Sequence, residues 1–145
     1  MADHNERWVL NHLIEMCKDE EQALKYAADH VQDPSVKTLF GELASRRAQF
    51  AVDLLPYAQR LGGAEAGDGT TRGTLHRGWM AMKDALIGHS DRRMITEAEH
   101  EEDLALAAYE NALNGTLPPT ARDVVERQSA EIQLTHDRMR ALLSH

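Results

Sequence analysis

The sequence predicts an all-α chain folded as a four-helix bundle, in which the second and third long helices are joined by a long crossover containing a short fifth helix. Three observations lead there. Apolar residues recur at spacings of three and four along four long segments. Ala, Leu, Glu and Arg outweigh β-branched and aromatic residues, a balance that favours helix over strand. The links within the first and last pairs of helices are short, while about thirty residues separate the pairs, which suits two antiparallel hairpins and a lengthwise connection. The alternative is a five-helix array in which Leu75 to Ile87 is a full member of the core.

The first helix is expected from about Asn5 to Val31, opened by a capping box of Asp3 and Glu6. Its inner stripe reads Leu13, Cys17, Glu20, Leu24, Ala27 and Val31. Asp33 as N-cap with Pro34 at the first helical position starts the second helix. That helix carries Val36, Phe40, Leu43, Arg47, Phe50, Leu54, Tyr57 and Leu61 inward and stops at Gly62-Gly63. Gly62 to Gly73 holds five glycines and no apolar period, so it reads as a loop. Leu75, Trp79, Met82 and Leu86 then mark the short amphipathic helix. Ser90 or Asp91 caps the next long helix, whose expected inner face is Ile95, Glu99, Glu102, Leu106, Tyr109 and Leu113, ending at Asn114-Gly115. Leu117-Pro118-Pro119 opens the last, with Val125, Ile132, His136, Met139 and Leu143 inward.

With 145 residues, the chain reads as one domain over residues 1–145, large enough to fold without disulfides or a metal. The formal charge of −8, with no Lys/Arg cluster free of nearby acids, excludes a nucleic-acid surface. No apolar run approaches a membrane span, and Met1 to Glu6 lacks the basic and apolar regions of a signal peptide, so a cytoplasmic protein is expected. Cys17, the single cysteine, lies on an apolar stripe and reads as a small buried hydrophobe. The other histidines, His4, His12, His30, His76, His89, His100 and His145, fall on polar faces, at helix ends or in loops; His76 flanks the Leu75–Trp79 stripe and stays open as a residue that meets the bundle. Trp8, near the start of the first helix and off its stripe, offers an aromatic contact to a second copy of the chain.

Six polar residues fall on the apolar stripes: Glu20, Arg47, Glu99, Glu102, Gln128 and His136. An ionised carboxylate buried there without a partner costs several kcal/mol, on the order of the penalty for an uncompensated ion. A metal, an arginine or water must therefore meet the glutamates. Convergent carboxylates inside a bundle are also how di-metal carboxylate proteins are built.

Several segments carry a resemblance to a known group of proteins. They are Leu75-His76-Arg77-Gly78-Trp79, Lys83 with Ala85-Leu86, Glu97-Ala98-Glu99-His100-Glu101-Glu102-Asp103, Tyr109-Glu110, Leu117-Pro118-Pro119 with Arg122, and Gln128 followed by His136-Asp137-Arg138. The chain resembles, over nearly all of its length, the small bacterial ferritin-like four-helix-bundle proteins of a domain-of-unknown-function family. The resemblance implies the ferritin-like fold and metal binding, and no settled activity.

Against the di-metal pattern, a Glu from each of two helices and a Glu-x-x-His from each of the other two, the sequence departs. Its literal match, Glu97-x-x-His100, points away from the stripe. Gln133-x-x-His136 has an amide for the carboxylate, Arg47 holds the central inward position of the second helix, and Glu42 lies to its side. Glu20, Glu99, Glu102 and His136 remain as first ligands, enough for one ion, with iron, manganese or zinc suited to oxygen ligation with one imidazole.

Two readings follow. One is a metal-binding or stress-related accessory protein of the cytoplasm, self-associating as a homodimer, with no catalytic activity evident, that uses those four residues. The other is a metal-free helical scaffold or interaction module in which Arg47 pairs with Glu99 or Glu102 and the buried Arg/Glu/His layer fixes packing.

Overall fold

The computed structural model describes residues 2–61 and 90–144. The expected helix at Leu75 to Ile87, the stretch from Gly62 to Gly73, His76 and Trp79 lie outside the described residues. Four helices account for nearly all the rest: α1 (Ala2–His30), α2 (Pro34–Arg60), α3 (Asp91–Asn114) and α4 (Pro119–Leu143). No strand occurs among the described residues, and no helix there is long and apolar enough to cross a membrane.

Local chemistry sets the boundaries. α1 begins at Ala2, so Asp3 lies within the helix and not at its N-cap. At its other end the His30 ring N–H donates to the Tyr26 carbonyl at 2.7 Å, a side-chain contact within the last turn. Asp33 caps α2 by accepting from the Ser35 backbone N–H at 2.8 Å, and Pro34 occupies the first turn, where no N–H is needed. Ser90 caps α3 through the Arg93 N–H, Gly115 closes it, and the Pro118-Pro119 pair starts α4.

Three hydrogen bonds settle the direction of each helix. The backbone N–H groups of Gln32 and Asp33, in the α1–α2 link, donate to the two carboxylate oxygens of Asp91 at 2.9 and 2.8 Å. Arg92 donates to the Leu143 carbonyl at 2.7 Å. The end of α1, the start of α2, the start of α3 and the end of α4 therefore share one end of the bundle. α1 and α4 run one way, α2 and α3 the other, with Leu61 and Ser90 at opposite ends. α1 packs mainly on α2 and α3 mainly on α4; α1 also meets α3, and α2 meets α4. This is the pair of antiparallel hairpins that the link lengths predict.

The core has two apolar clusters. One gathers Leu10, Leu13, Cys17, Phe50, Leu54, Ala105, Tyr109, Val125 and Ile132. The other, toward the α1–α2 link, gathers Leu24, Ala27, Phe40, Leu43, Met94, Ile95, Ala98 and Met139. Each fully buried Leu or Phe contributes about 1.5–3 kcal/mol relative to exposure. Between the two clusters each helix carries buried polar side chains: Glu20, Arg47 and Glu102 on the first three, Thr135 and His136 on the fourth.

The inner face of α3 departs from expectation. The buried stripe is Met94, Ile95, Ala98, Glu102, Ala105, Tyr109 and Ala112, which leaves Glu99, Leu106 and Leu113 at its edge. Alanines at positions 98, 105 and 112, each one seven-residue step apart, give α3 a small-residue seam, and the large side chains flank it. On α4 the additional inward residues are Ala121, Val124 and Thr135, while Leu143 is half-buried.

Candidate functional site

The polar layer between the clusters is organised by one cation. The Arg47 side chain has 0% exposure; its Nε donates to Glu20 Oε1 at 3.1 Å, and its Nη2 bonds both oxygens of Glu102, at 2.6 Å from Oε1. The Thr135 hydroxyl donates to Glu102 Oε2 at 2.7 Å, bringing in the fourth helix. The guanidinium carbon lies 5.1 Å from the centre of the Phe50 ring one turn on, a cation–π contact. Nη1 is buried and has no hydrogen-bond acceptor among the described residues.

Burial alone would lower the Arg47 pKa, but the Glu102 and Glu20 carboxylates outweigh it and hold the group well above its usual range. Glu20 is displaced upward to about 8, first by burial and then by the negative Glu102, against the pull of Arg47. One guanidinium thus compensates one carboxylate, and near neutral pH Glu20 keeps its proton. The layer is then neutral as a whole.

A second set of polar groups, toward the other apolar cluster, also touches all four helices. The Tyr109 hydroxyl donates to Gln128 Oε1 at 2.7 Å, the Gln128 amide donates to the Phe50 carbonyl at 3.2 Å, and the Cys17 thiol lies 3.4 Å from the Tyr109 oxygen. Because the tyrosine proton is committed to Gln128, the thiol is the donor. Burial pushes the Cys17 thiol up to about 12, so no thiolate nucleophile is available. Replacing Tyr109 by Phe strands the Gln128 carbonyl and is expected to cost about 1–3 kcal/mol. Urea denaturation measures it; a loss below about 0.5 kcal/mol would show that Gln128 finds another donor.

The four residues expected to share an ion divide into two groups. Glu20 and Glu102 sit in the central layer on Arg47. Glu99, with a side chain 17% exposed, and His136 lie at the α3–α4 edge. There His136 Nε2 stands 2.7 Å from Asp103 Oδ1, and Arg140 Nη2 is 3.7 Å from Glu99 Oε1. Of the two partners expected for Arg47, Glu102 is the one reached and Glu99 is not, because the alanine seam turns Glu99 outward. His100 and Glu42 are exposed, as the facing of the stripes predicts, while Glu97 is half-buried.

Sequence reasoning placed Tyr109 on the inner face without its hydrogen-bonding role, and it missed Thr135, polar through one hydroxyl, Asp103, on an exposed flank, and the burial of Glu15 within Leu13 to Cys17, where every position of α1 is buried. A run of consecutive apolar residues around Glu15 was the available signal for the last.

The di-metal arrangement does not fit these residues. Glu20 and Glu102 stand as the single glutamates of two helices, but the inward i, i+3 pairs of the other two are Arg47 with Phe50 and Ile132 with Thr135. Neither pair supplies a carboxylate or an imidazole, and a guanidinium fills the space between the glutamates.

A comparison with curated proteins finds no match. The family model described as "Domain of unknown function (DUF2383)" matches residues 6–115, from the first turns of α1 to the cap of α3. That match covers well over half of the chain, and the protein accordingly belongs to the DUF2383 family of domains of unknown function.

Proposed function

We propose that the protein is a ferritin-like bundle that works as a non-catalytic scaffold or interaction module, with Arg47 standing where related architectures hold a metal pair. The observation that carries this reading is the fully buried guanidinium joined to Glu20 and Glu102. The opposed hairpins, with α2 and α3 parallel, support the ferritin-like assignment, since a single lengthwise crossover is the topology of that fold. The outer faces supply what a partner would cover. Trp8 is about half exposed and stacks on His12 with ring centres 5.0 Å apart, offering a flat aromatic surface to a second copy of the chain. Val52 and Leu134 are exposed on α2 and α4, whose groove of about 690 Å³ is lined by Arg46, Tyr57 and Arg127.

Elemental analysis of protein purified without a histidine tag, before and after Glu102→Ala, tests the reading. No metal should depend on Glu102. Two equivalents of iron or manganese that disappear in the Glu102→Ala protein would overturn it. Size-exclusion chromatography with light scattering on the native chain and on Trp8→Ala tests the homodimer: a dimer that dissociates on the substitution supports it, and a monomer at all concentrations refutes it.

A further inference from the structure

Outside the central layer, the α3–α4 edge holds a cluster that the scaffold role does not use. Glu99 and Asp103, four residues apart, stand on one flank of α3, and His136 faces them from α4. One ligand atom from each lies within 4.8 Å of the other two. Glu102 lies between them in sequence but points the other way, into the Arg47 layer.

The histidine is what separates this cluster from an ordinary acidic patch. Its side chain is only 8% exposed, yet Nε2 has no hydrogen-bond partner among the described residues. Asp103 Oδ1 stands 2.7 Å from Nε2, at ion-pair distance. The opposite ring nitrogen, Nδ1, lies 3.5 Å from Asp137 Oδ1, and the Gln133 amide holds that same oxygen at 3.0 Å. An imidazole steadied at one nitrogen by a carboxylate, with the other nitrogen aimed into a pair of carboxylates, is the arrangement that surrounds a metal-bound histidine. The cation now nearest Glu99 is Arg140, at 3.7 Å and with a side chain 67% exposed. A solvated pair of that kind contributes little, so a divalent ion displaces it readily.

We infer that Glu99, Asp103 and His136 form a mononuclear divalent-cation site at the α3–α4 edge, suited to zinc. Two carboxylates and one imidazole give the three protein ligands of an open tetrahedral zinc site, and the fourth position faces water beside Asp103, whose side chain is 51% exposed. Zinc outcompetes manganese and ferrous iron for such nitrogen and oxygen donors at equal availability. The site goes beyond the scaffold reading and is independent of Arg47.

The test is a titration of tag-free, metal-stripped protein with zinc chloride against a chromophoric chelator, alongside cobalt(II) loading followed by visible absorption. One zinc per chain at micromolar affinity or tighter is expected, with a ligand-field band on cobalt loading. His136→Ala and Asp103→Ala should each weaken zinc binding at least about 100-fold and abolish the band, while Asp137→Asn, which removes the carboxylate behind the ring, weakens it about 10-fold. His100→Gln should change nothing. Circular dichroism and metal-free melting of each variant, with His136→Asn as the conservative replacement, separate loss of the site from loss of fold. Zinc bound equally well by His136→Ala and Asp103→Ala, or no binding by the native chain, overturns the proposal. Zinc lost on Glu102→Gln but kept on Asp103→Ala would place the ion in the central layer, overturning both this site and the scaffold reading; loss only on Asp103→Ala and His136→Ala leaves both standing.

Discussion

Arg47→Ala is expected to lower the unfolding free energy by about 3–5 kcal/mol, read as a large drop in the urea midpoint. The substitution leaves Glu102, 2% exposed, without its cation, and deletes the stem that packs beside Phe50. Arg47→Lys should recover only part of the loss. A single ammonium cannot reproduce the fork that presents Nε to one carboxylate and Nη2 to the other. Exchanging the whole layer is expected to behave differently. Arg47→Met combined with Glu20→Leu and Glu102→Leu removes the desolvation cost together with the attraction, and should leave stability unchanged or raise it by about 1–4 kcal/mol. A single substitution that costs less than about 1 kcal/mol would mean that water already reaches the layer and that the group is not buried as described.

The second large effect is one of pH, and it belongs to Glu20. The usual value for this carboxyl is 4.5, and burial in the fold raises it to about 8. Between those values the folded protein holds a proton that the unfolded chain has released, so the contribution of Glu20 to stability falls as pH rises. It is complete below about 4.5, declines by at most about 1.4 kcal/mol per pH unit, and is lost above the folded value. Glu20→Gln keeps an acceptor for Arg47 Nε and carries no titratable proton. The variant should therefore overtake the native protein in stability as pH goes from 6 to 9, and the difference between their two curves isolates this one group. Parallel curves across that range would show that Glu20 is ionised in the fold. Glu131, whose pKa is lowered by its hydrogen bonds from Arg46, acts in the opposite sense and only at acidic pH, so it does not obscure the comparison.

Much of this architecture was legible because helix ends are written in short-range chemistry. Asp33-Pro34, Ser90, Gly115 and Pro118-Pro119 each stop or start a helix through a cap or a missing N–H, and they do so without help from the tertiary fold. The ionic layer was visible for a related reason: Arg47, Glu20 and Glu102 are conspicuous on stripes of Leu, Phe and Val. The partner of Arg47 was not, since Glu99 and Glu102 differ by less than one turn. A stripe drawn through the bulky residues of α3 passes through Leu106 and Leu113, whereas the buried line runs through alanines, which weigh little in any reading by hydrophobicity. Asp103 escaped for the opposite reason. A search for polar residues that face inward cannot find a ligand that lies on the outer flank and meets its partner from the next helix.

The placement of charge between two hydrocarbon compartments has a further consequence. Amphipathic helices rich in alanine can slide past one another, because one turn along the axis, about 5.4 Å, brings similar surfaces back into contact. Here any such slip would push Arg47, Glu20 or Glu102 into the Leu24–Met94 compartment or into the Leu13–Ile132 compartment, away from its counter-charge. The layer thus works as a pin through four rods, leaving the bundle a single axial alignment however smooth the rest of its surfaces.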